Sequence, residues 1–118
     1  YGKLLHSLPG IKLPQVLPEG KSVWNQYTIA IEDRNITGEP TRDKIRQQLQ
    51  EMGVTSMVYY PIPLHLQPVY QNLGYQVGQL SAAEQAARQV LSIPMFPDLT
   101  FEEQQQVVYS LKDCLVVV

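Results

Sequence analysis

The stretch SVWNQYTIAI, from Ser22 to Ile31, decides the fold of this chain. It is rich in β-branched and aromatic residues, which favour strands. Within it, Tyr27, Ile29 and Ile31 alternate onto one face, with a small or polar residue between each pair. Such alternation is typical of a strand that is buried on one side. We therefore predict a strand here, with the rest of the chain packed against its apolar face.

A helix and a second strand are predicted directly downstream. Thr41 can cap a helix that runs to about Met52, and Gly53 suits the left-handed position that follows it. The apolar stripe of this helix consists of Ile45, Leu49 and Met52. The segment from Val54 to Val58 is predicted to be the second strand.

The last third of the chain predicts two helices around a short strand. Ser81 and Glu84 have the spacing of a capping box, as do Thr100 and Glu103. The apolar faces of the two helices consist of Ala83, Ala86, Ala87, Val90 and Leu91, and of Val107, Val108, Leu111 and Leu115. Between them, residues 92–96 form an extended segment that proline keeps at a sheet edge. This order predicts a two-layer α+β domain: a small, mostly antiparallel sheet of about three strands with helices packed on one face.

The first 22 residues differ in character from the rest. The chain begins at Tyr1 rather than Met, and its first apolar residues have helical spacing. Residues 9–21 then carry three prolines and two glycines, which is typical of a linker. We expect residues 1–22 to be the remnant of an inter-domain helix and linker, and residues 23–118 to form the domain, within a fragment of a longer protein.

Composition and charge exclude several classes of function. The 118 residues suit one domain, and the net charge of −2 leaves no surplus of Lys and Arg for binding nucleic acid or a membrane surface. No apolar run approaches the roughly 20 residues that span a bilayer. Cys114 is the single cysteine, so no internal disulfide can form. We expect a cytoplasmic protein in which Cys114 is packed as a small apolar side chain.

No familiar catalytic or metal-binding pattern is present in the sequence. The two histidines, His6 and His65, lie far apart, and neither belongs to a cluster with metal-ligand spacing. The glycine-rich phosphate-binding motifs and the nucleophile-elbow motif are also missing. From the residues alone we therefore predict neither a catalytic residue nor a metal site.

The stretch YYPIPLHLQPVY, from Tyr59 to Tyr70, matches neither a helix nor a strand. It combines three prolines with a concentration of hydrogen-bonding side chains. Two interpretations are open. The prolines can simply stiffen a connection whose tyrosines cover the edge of the core. Alternatively, a preordered loop loses little entropy when it binds a ligand, so these side chains also suit a binding site.

Four segments together resemble a known family. They are SVWNQYTI, RDKIRQQLQEMGV, YYPIPLHLQPVYQNLGY and AAEQAARQVLSIPMFPDLTFEEQQQVV. In this order they are similar to the C-terminal small domain of the DegT/DnrJ/EryC1/StrS aminotransferases. These pyridoxal-phosphate (PLP) enzymes aminate nucleotide-linked keto sugars, usually with glutamate as amino donor. The resemblance covers nearly the whole chain, from about Leu8 to Leu115.

The resemblance implies a two-domain, homodimeric enzyme whose large domain carries the lysine that binds PLP. The lysines of this chain all lie in segments that match the small domain: Lys3, Lys12, Lys21, Lys44 and Lys112. None is therefore expected to hold the cofactor, and a chain without the large domain should not transaminate alone. The alternative is a stand-alone binding or dimerisation module that reuses this fold without catalysis.

The resemblance also implies that the proline-rich loop faces the nucleotide-sugar, as one wall of the substrate cleft. Tyr60 matches the family directly, whereas Tyr59 stands where the family most often has histidine. His65 and Gln67 match positions that either contact substrate or brace the loop. Asn25 matches a polar position that faces the cleft in some members. These five residues are our predicted substrate-binding residues.

Overall fold

The structure, a computed structural model, describes residues 1–35 and 38–117. In chain order its elements are helix α1 (Gly2–Leu5), strands β1 (Ile11–Lys12) and β2 (Tyr27–Ile31), helices α2 (Thr41–Glu51) and α3 (Ser81–Gln89), strand β3 (Val90–Ile93) and helix α4 (Phe101–Val117). Two short 3₁₀ helices, Leu64–Leu66 and Pro68–Leu73, lie between α2 and α3. No helix in the described part of the chain has the length and apolar character needed to cross a bilayer.

The central strand of the sheet is β2. The strands follow the order β1-β2-β3, and both neighbouring pairs are antiparallel. Ile29 lies opposite Leu91 and is fully buried with it, whereas Thr28 lies opposite Ser92 on the other face, where their hydroxyl oxygens are 2.8 Å apart. The predicted alternation is confirmed, because the buried residues of β2 are Tyr27, Ile29 and Ile31.

One hydrophobic core joins the apolar face of the sheet to α1, α2 and α4. The helices contribute Leu5, Ile45, Leu49, Val107, Val108, Leu111 and Cys114. Removing these side chains from water is the largest favourable contribution to folding. The predicted α+β architecture, an antiparallel sheet covered by helices, is confirmed, and Cys114 is packed in the core as expected.

The predicted strand from Val54 to Val58 is wrong. Only Met57 pairs with the sheet, through two backbone hydrogen bonds of 2.7 and 2.9 Å to Ser92 at the outer edge of β3. Pro61 and Pro63 follow within a few residues, and proline cannot donate a hydrogen bond to a ladder. The segment therefore contacts β3 once and then leaves the sheet.

The two outer strands also differ from the prediction. β1 comes from the segment that was predicted to be linker, and it pairs with the end of β2. β3 begins at Val90 rather than at Ser92, so Val90 and Leu91 belong to the strand and not to the preceding helix. The strand ends before Pro94, which lacks an N–H group.

The N-terminal segment packs onto the same core. Leu5 is buried, and the hydroxyl of Tyr1 donates a 2.8 Å hydrogen bond to the carbonyl of Pro94. Burial, together with the nearby charge of Glu103, raises the pKa of Tyr1 to about 12. These contacts join the first helix to the domain, and the predicted boundary between residues 22 and 23 stays a prediction.

The ends of α2 confirm one predicted cap and correct another. Gly53 adopts φ +79°, the left-handed conformation predicted for it. Thr41 is the first helical residue and not the cap. Its hydroxyl does not cap the helix and accepts a hydrogen bond from the Arg34 amide at 2.9 Å. The Thr41 amide instead donates to the Asp33 carboxylate at 3.2 Å. Met52 is 47% exposed and does not join the buried stripe.

Candidate functional site

Residues 59–80, which we call the groove loop, form one side of an open groove. Its other side is α3, where Ala83 and Ala86 line the wall. The groove measures about 800 Å³, and most of its lining is apolar or aromatic. The alanine stripe of α3 was predicted to pack closely on a neighbouring element, but only Ala87 is buried. The short side chains of the other two instead leave space for the groove.

Tyr59 and Tyr60 both line the groove. Tyr60 is 72% exposed and Tyr59 is 38% exposed. Their rings meet edge to face, with centroids 5.7 Å apart, and a cis peptide bond joins the two residues. Both side chains are accessible enough to contact a ligand in the groove.

His65 is the buried residue of the groove loop. Its Nε2 lies 2.9 Å from Oε1 of Glu84, on α3, and its ring meets Tyr75 edge to face at 6.1 Å. Because an ionised carboxylate only accepts hydrogen bonds, Nε2 carries the ring proton and donates a hydrogen bond to Glu84. Only Nδ1 of the ring is then left for a ligand.

Glu84 binds the groove loop at a second point. Both of its carboxylate oxygens lie 2.8 Å from the backbone nitrogen of Gly78, which donates to them. The hydrogen bond from His65, reinforced by that from Gly78, lowers the pKa of Glu84. The predicted capping box of Ser81 and Glu84 is therefore wrong, since α3 has no side-chain cap and the carboxylate is used elsewhere.

The start of α4 shows what that capping box would have looked like. Thr100 and Glu103 cap each other as predicted: the Glu103 carboxylate accepts from the Thr100 amide at 2.8 Å, and the Thr100 hydroxyl accepts from the Glu103 amide at 3.2 Å. Glu84 was not predicted as a site residue, because its spacing from Ser81 has the same local pattern as a capping box. No signal in the sequence linked it to His65.

Gln67 lies on the groove and also closes the loop on itself. Its side-chain nitrogen donates to the carbonyl of Ile62 at 3.3 Å, and its backbone amide donates to the carbonyl of Leu64 at 3.1 Å. Tyr70, the last tyrosine of the proline-rich stretch, lines the groove as well. The structure therefore places four of the five predicted residues on one groove.

The fifth predicted residue, Asn25, lies on a different cavity. This smaller space of about 170 Å³ is lined by Asn25, Thr55 and Tyr59, with further residues from β3 and its C-terminal extension. Tyr59 lines both the smaller cavity and the groove. The predicted residues are thus divided between two adjoining spaces, with Tyr59 shared by both.

The residues around these two spaces do not fit a PLP site by themselves. Such a site needs a lysine for the Schiff base and cationic or N–H donors for the phosphate. Within the described residues, no lysine or arginine lines either the groove or the smaller cavity. The lining consists of apolar, aromatic, hydroxyl and amide side chains together with His65. This arrangement suits binding of a polar ligand that also carries apolar or ring surfaces.

Comparison with known proteins identifies relatives over nearly the full chain. A model of the DegT/DnrJ/EryC1/StrS aminotransferase family matches residues 1–112. The chain is 44% identical to a pleiotropic regulatory protein of Geobacillus stearothermophilus and 35% identical to the dTDP-3-amino-3,4,6-trideoxy-alpha-D-glucose transaminase of Streptomyces venezuelae. These alignments cover 96% and 92% of this chain, but 29% and 27% of the two relatives. The chain thus spans less than a third of their length.

Solved structures show the same fold at similar identity. DesV of S. venezuelae, in complex with a ketimine intermediate, has a TM-score of 0.83 at 34% identity, over 96% of this chain and 28% of that one. NtdA of Bacillus subtilis, with bound cofactor PMP, has a TM-score of 0.77 at 33% identity, over 98% of this chain and 26% of that one. With the family model matching 112 residues and the fold shared at this level, the chain belongs to the DegT/DnrJ/EryC1/StrS aminotransferase family.

Proposed function

We propose that this chain is the C-terminal domain of a PLP-dependent aminotransferase that acts on nucleotide-linked keto sugars. In that role it forms one wall of the substrate cleft. The observation that carries the proposal is a family match over residues 1–112, in a chain whose predicted residues line two adjoining spaces. A relative named as the transaminase of a dTDP-linked amino sugar supports this substrate class.

Tyr59 and Tyr60 are assigned to contacts with substrate. A phenol donates and accepts hydrogen bonds, so it can bind a hydroxyl or a phosphate oxygen, and its ring can pack on a sugar face. Tyr59 replaces the histidine common in the family and takes over the donor role of an imidazole. Asn25 supports the ligand from the smaller cavity, where its amide can both donate and accept.

His65 and Gln67 are assigned chiefly to the shape of the wall. One side-chain nitrogen of each residue is already hydrogen-bonded: Nε2 of His65 to Glu84, and Nε2 of Gln67 to the carbonyl of Ile62. The side-chain groups left for ligand contacts are therefore Nδ1 of His65, and the oxygen and the second amide hydrogen of Gln67.

We assign the amino-transfer reaction itself to the rest of the enzyme. PLP, when bound, serves as the electron sink for amino transfer, and the large domain of the same protein would hold it. We further propose that the complete enzyme is a homodimer and that glutamate is the amino donor. The chain alone is expected to be inactive, since neither the groove nor the smaller cavity is lined by a lysine among the described residues.

Titration of the isotope-labelled chain with dTDP-glucose, followed by NMR, tests the proposed wall. We expect amide shifts that saturate at about 10 mM or above, because one wall supplies few of the contacts in a cleft, and that centre on the groove loop and Asn25. Tyr60→Phe should weaken the affinity about fivefold, the value of one typical hydrogen bond. The control is Tyr109→Phe on α4, an exposed tyrosine outside both cavities.

Two results would contradict the proposal. One is an absence of shifts at the groove loop and Asn25 together with shifts elsewhere on the surface. The other is turnover by the chain alone when it is supplied with PLP, glutamate and a dTDP-linked keto sugar. We expect no turnover, and no change in the visible spectrum of PLP when the chain is added.

A further inference from the structure

The groove loop is held in place almost without apolar burial. Between residues 57 and 86, all of which the structure describes, His65 is the single buried residue. The large apolar side chains of the loop are exposed instead, among them Ile62, Leu64, Val69, Leu73 and Val77. Loops with few buried contacts open at low free-energy cost, so another interaction must maintain this shape.

Glu84 supplies that interaction from the first turn of α3. One carboxylate accepts hydrogen bonds from the His65 ring, inside the proline-rich stretch, and from the Gly78 amide, near the end of the loop. Hydrogen bonds to an ionised group are stronger than those between neutral groups. The carboxylate also lies near the positive end of the α3 dipole, which favours its charge.

The backbone at Gly78 is arranged for this contact. Gly78 has φ +92°, a conformation that other residues rarely adopt, and its N–H points at Glu84. At the other contact, His65 is enclosed by the loop and lies against Tyr75. Between the two bonded points lie four residues that line the groove: Gln67, Tyr70, Leu73 and Tyr75.

We propose that Glu84 is a positioning residue that sets the shape of the substrate groove by holding His65 and Gly78 together. It does not itself line the groove, so its effect on a ligand passes through the loop. The loop in turn presents Tyr59 and Tyr60. This inference rests on the proposed function for its ligand, whereas the holding of the loop can be measured without any ligand.

Amide hydrogen exchange on the labelled chain tests the holding of the loop. Glu84→Ala should speed exchange at Leu66, Gln67 and Gly78 about tenfold or more, because it removes hydrogen bonds to a charged group. Glu84→Gln keeps an acceptor for Gly78 and should restore most of the protection. The matched control is Glu103→Ala, which removes a first-turn glutamate from α4 without touching the loop.

His65 provides a second pair of variants. His65→Ala removes the donor and should open the loop as Glu84→Ala does. His65→Gln places an amide nitrogen near the position of Nε2 and should restore protection at Leu66 and Gln67. The Nε2–H proton of the unmodified chain should be shifted downfield by its hydrogen bond to Glu84, and Glu84→Ala should remove that shift, a change that lost stability alone would not produce.

Titration with dTDP-glucose then separates positioning from general stability. We expect Glu84→Ala to weaken binding about fivefold or more while its midpoint of thermal unfolding falls no further than that of Glu103→Ala. Unchanged loop exchange in Glu84→Ala, or equal loop exchange in Glu103→Ala, overturns the proposal. Unchanged affinity with an opened loop also overturns it and leaves the proposed function standing. If the unmodified chain shows shifts elsewhere on its surface but none at the groove loop and Asn25, the proposed function fails and exchange alone decides the role of Glu84.

Discussion

The two sides of this domain are stabilised by different interactions. On one side, Ile29, Leu91 and Leu111 are completely removed from solvent between the sheet and its helices. On the other, the groove loop exposes most of its apolar side chains and is fastened through the carboxylate of Glu84. The stability of the domain and the shape of its groove therefore depend on different residues, so substitutions should be able to change one without the other.

The largest effect should come from a pair of leucines, one on each side. Leu111→Ala leaves a cavity in the core and should lower the free energy of unfolding by about 2–5 kcal/mol. Leu64→Ala removes an exposed side chain of the groove loop and should change it by less than about 0.5 kcal/mol. Urea denaturation measures both values. Similar losses from the two substitutions would show that the loop is part of the core after all.

A smaller effect should come from Asp33, which connects the two sides. Its carboxylate accepts from the Thr41 amide at the start of α2 and from Arg88 of α3, at 2.6 Å. Burial alone would raise the pKa of Asp33, but the hydrogen bonds from Thr41, Arg88 and Asn35 outweigh it and lower the pKa. Asp33→Ala should cost about 1.5–3 kcal/mol at neutral pH, because these donors lose a charged partner.

The pH dependence of this contribution follows from the lowered pKa. A carboxyl group that binds its proton more weakly in the folded state stabilises the fold fully above its unfolded pKa, near 3.8, and the stabilisation is lost as the pH falls through the lower folded value. Asp33→Asn should therefore flatten the acid limb of a stability–pH curve measured by urea denaturation. An unchanged acid limb would mean that Asp33 does not bind as described.

The smallest effect should separate the two serine or threonine–glutamate motifs. Thr100→Ala removes a working cap from α4 and should cost about 1 kcal/mol. Ser81→Ala on α3 should cost only a few tenths of a kcal/mol, because α3 has no side-chain cap to lose. Thermal unfolding of the two variants side by side makes the comparison. Equal losses would show that Ser81 does cap α3 in solution.

Local patterns predicted the core side of the domain well. The alternation at Tyr27, Ile29 and Ile31 placed the central strand, and helical spacing placed the buried face of α4. The strand predicted from Val54 failed because pairing depends on a distant edge, and that edge binds Met57 alone. Periodicity shows which face of a segment is apolar, but it does not show which strand will pair with that segment.

The groove side was less predictable for the same physical reason. The hydrogen-bonding side chains of the loop were visible in the sequence, and the structure places Tyr59, Tyr60, His65 and Gln67 along one groove. The role of Glu84 was not visible. A first-turn glutamate can bind its own helix or a neighbouring loop, and only the tertiary arrangement decides between them.

The buried thiol of Cys114 is an internal probe of the unfolding of the domain. It is the single cysteine of the chain, it is 1% exposed, and burial raises its pKa, so the reactive thiolate is scarce while the core is closed. Cys114 lies on α4 and does not line the groove, so we expect local opening of the groove loop to leave it covered. The rate at which a thiol reagent modifies the chain therefore reports the opening of the core, and should not depend on movements of the groove loop.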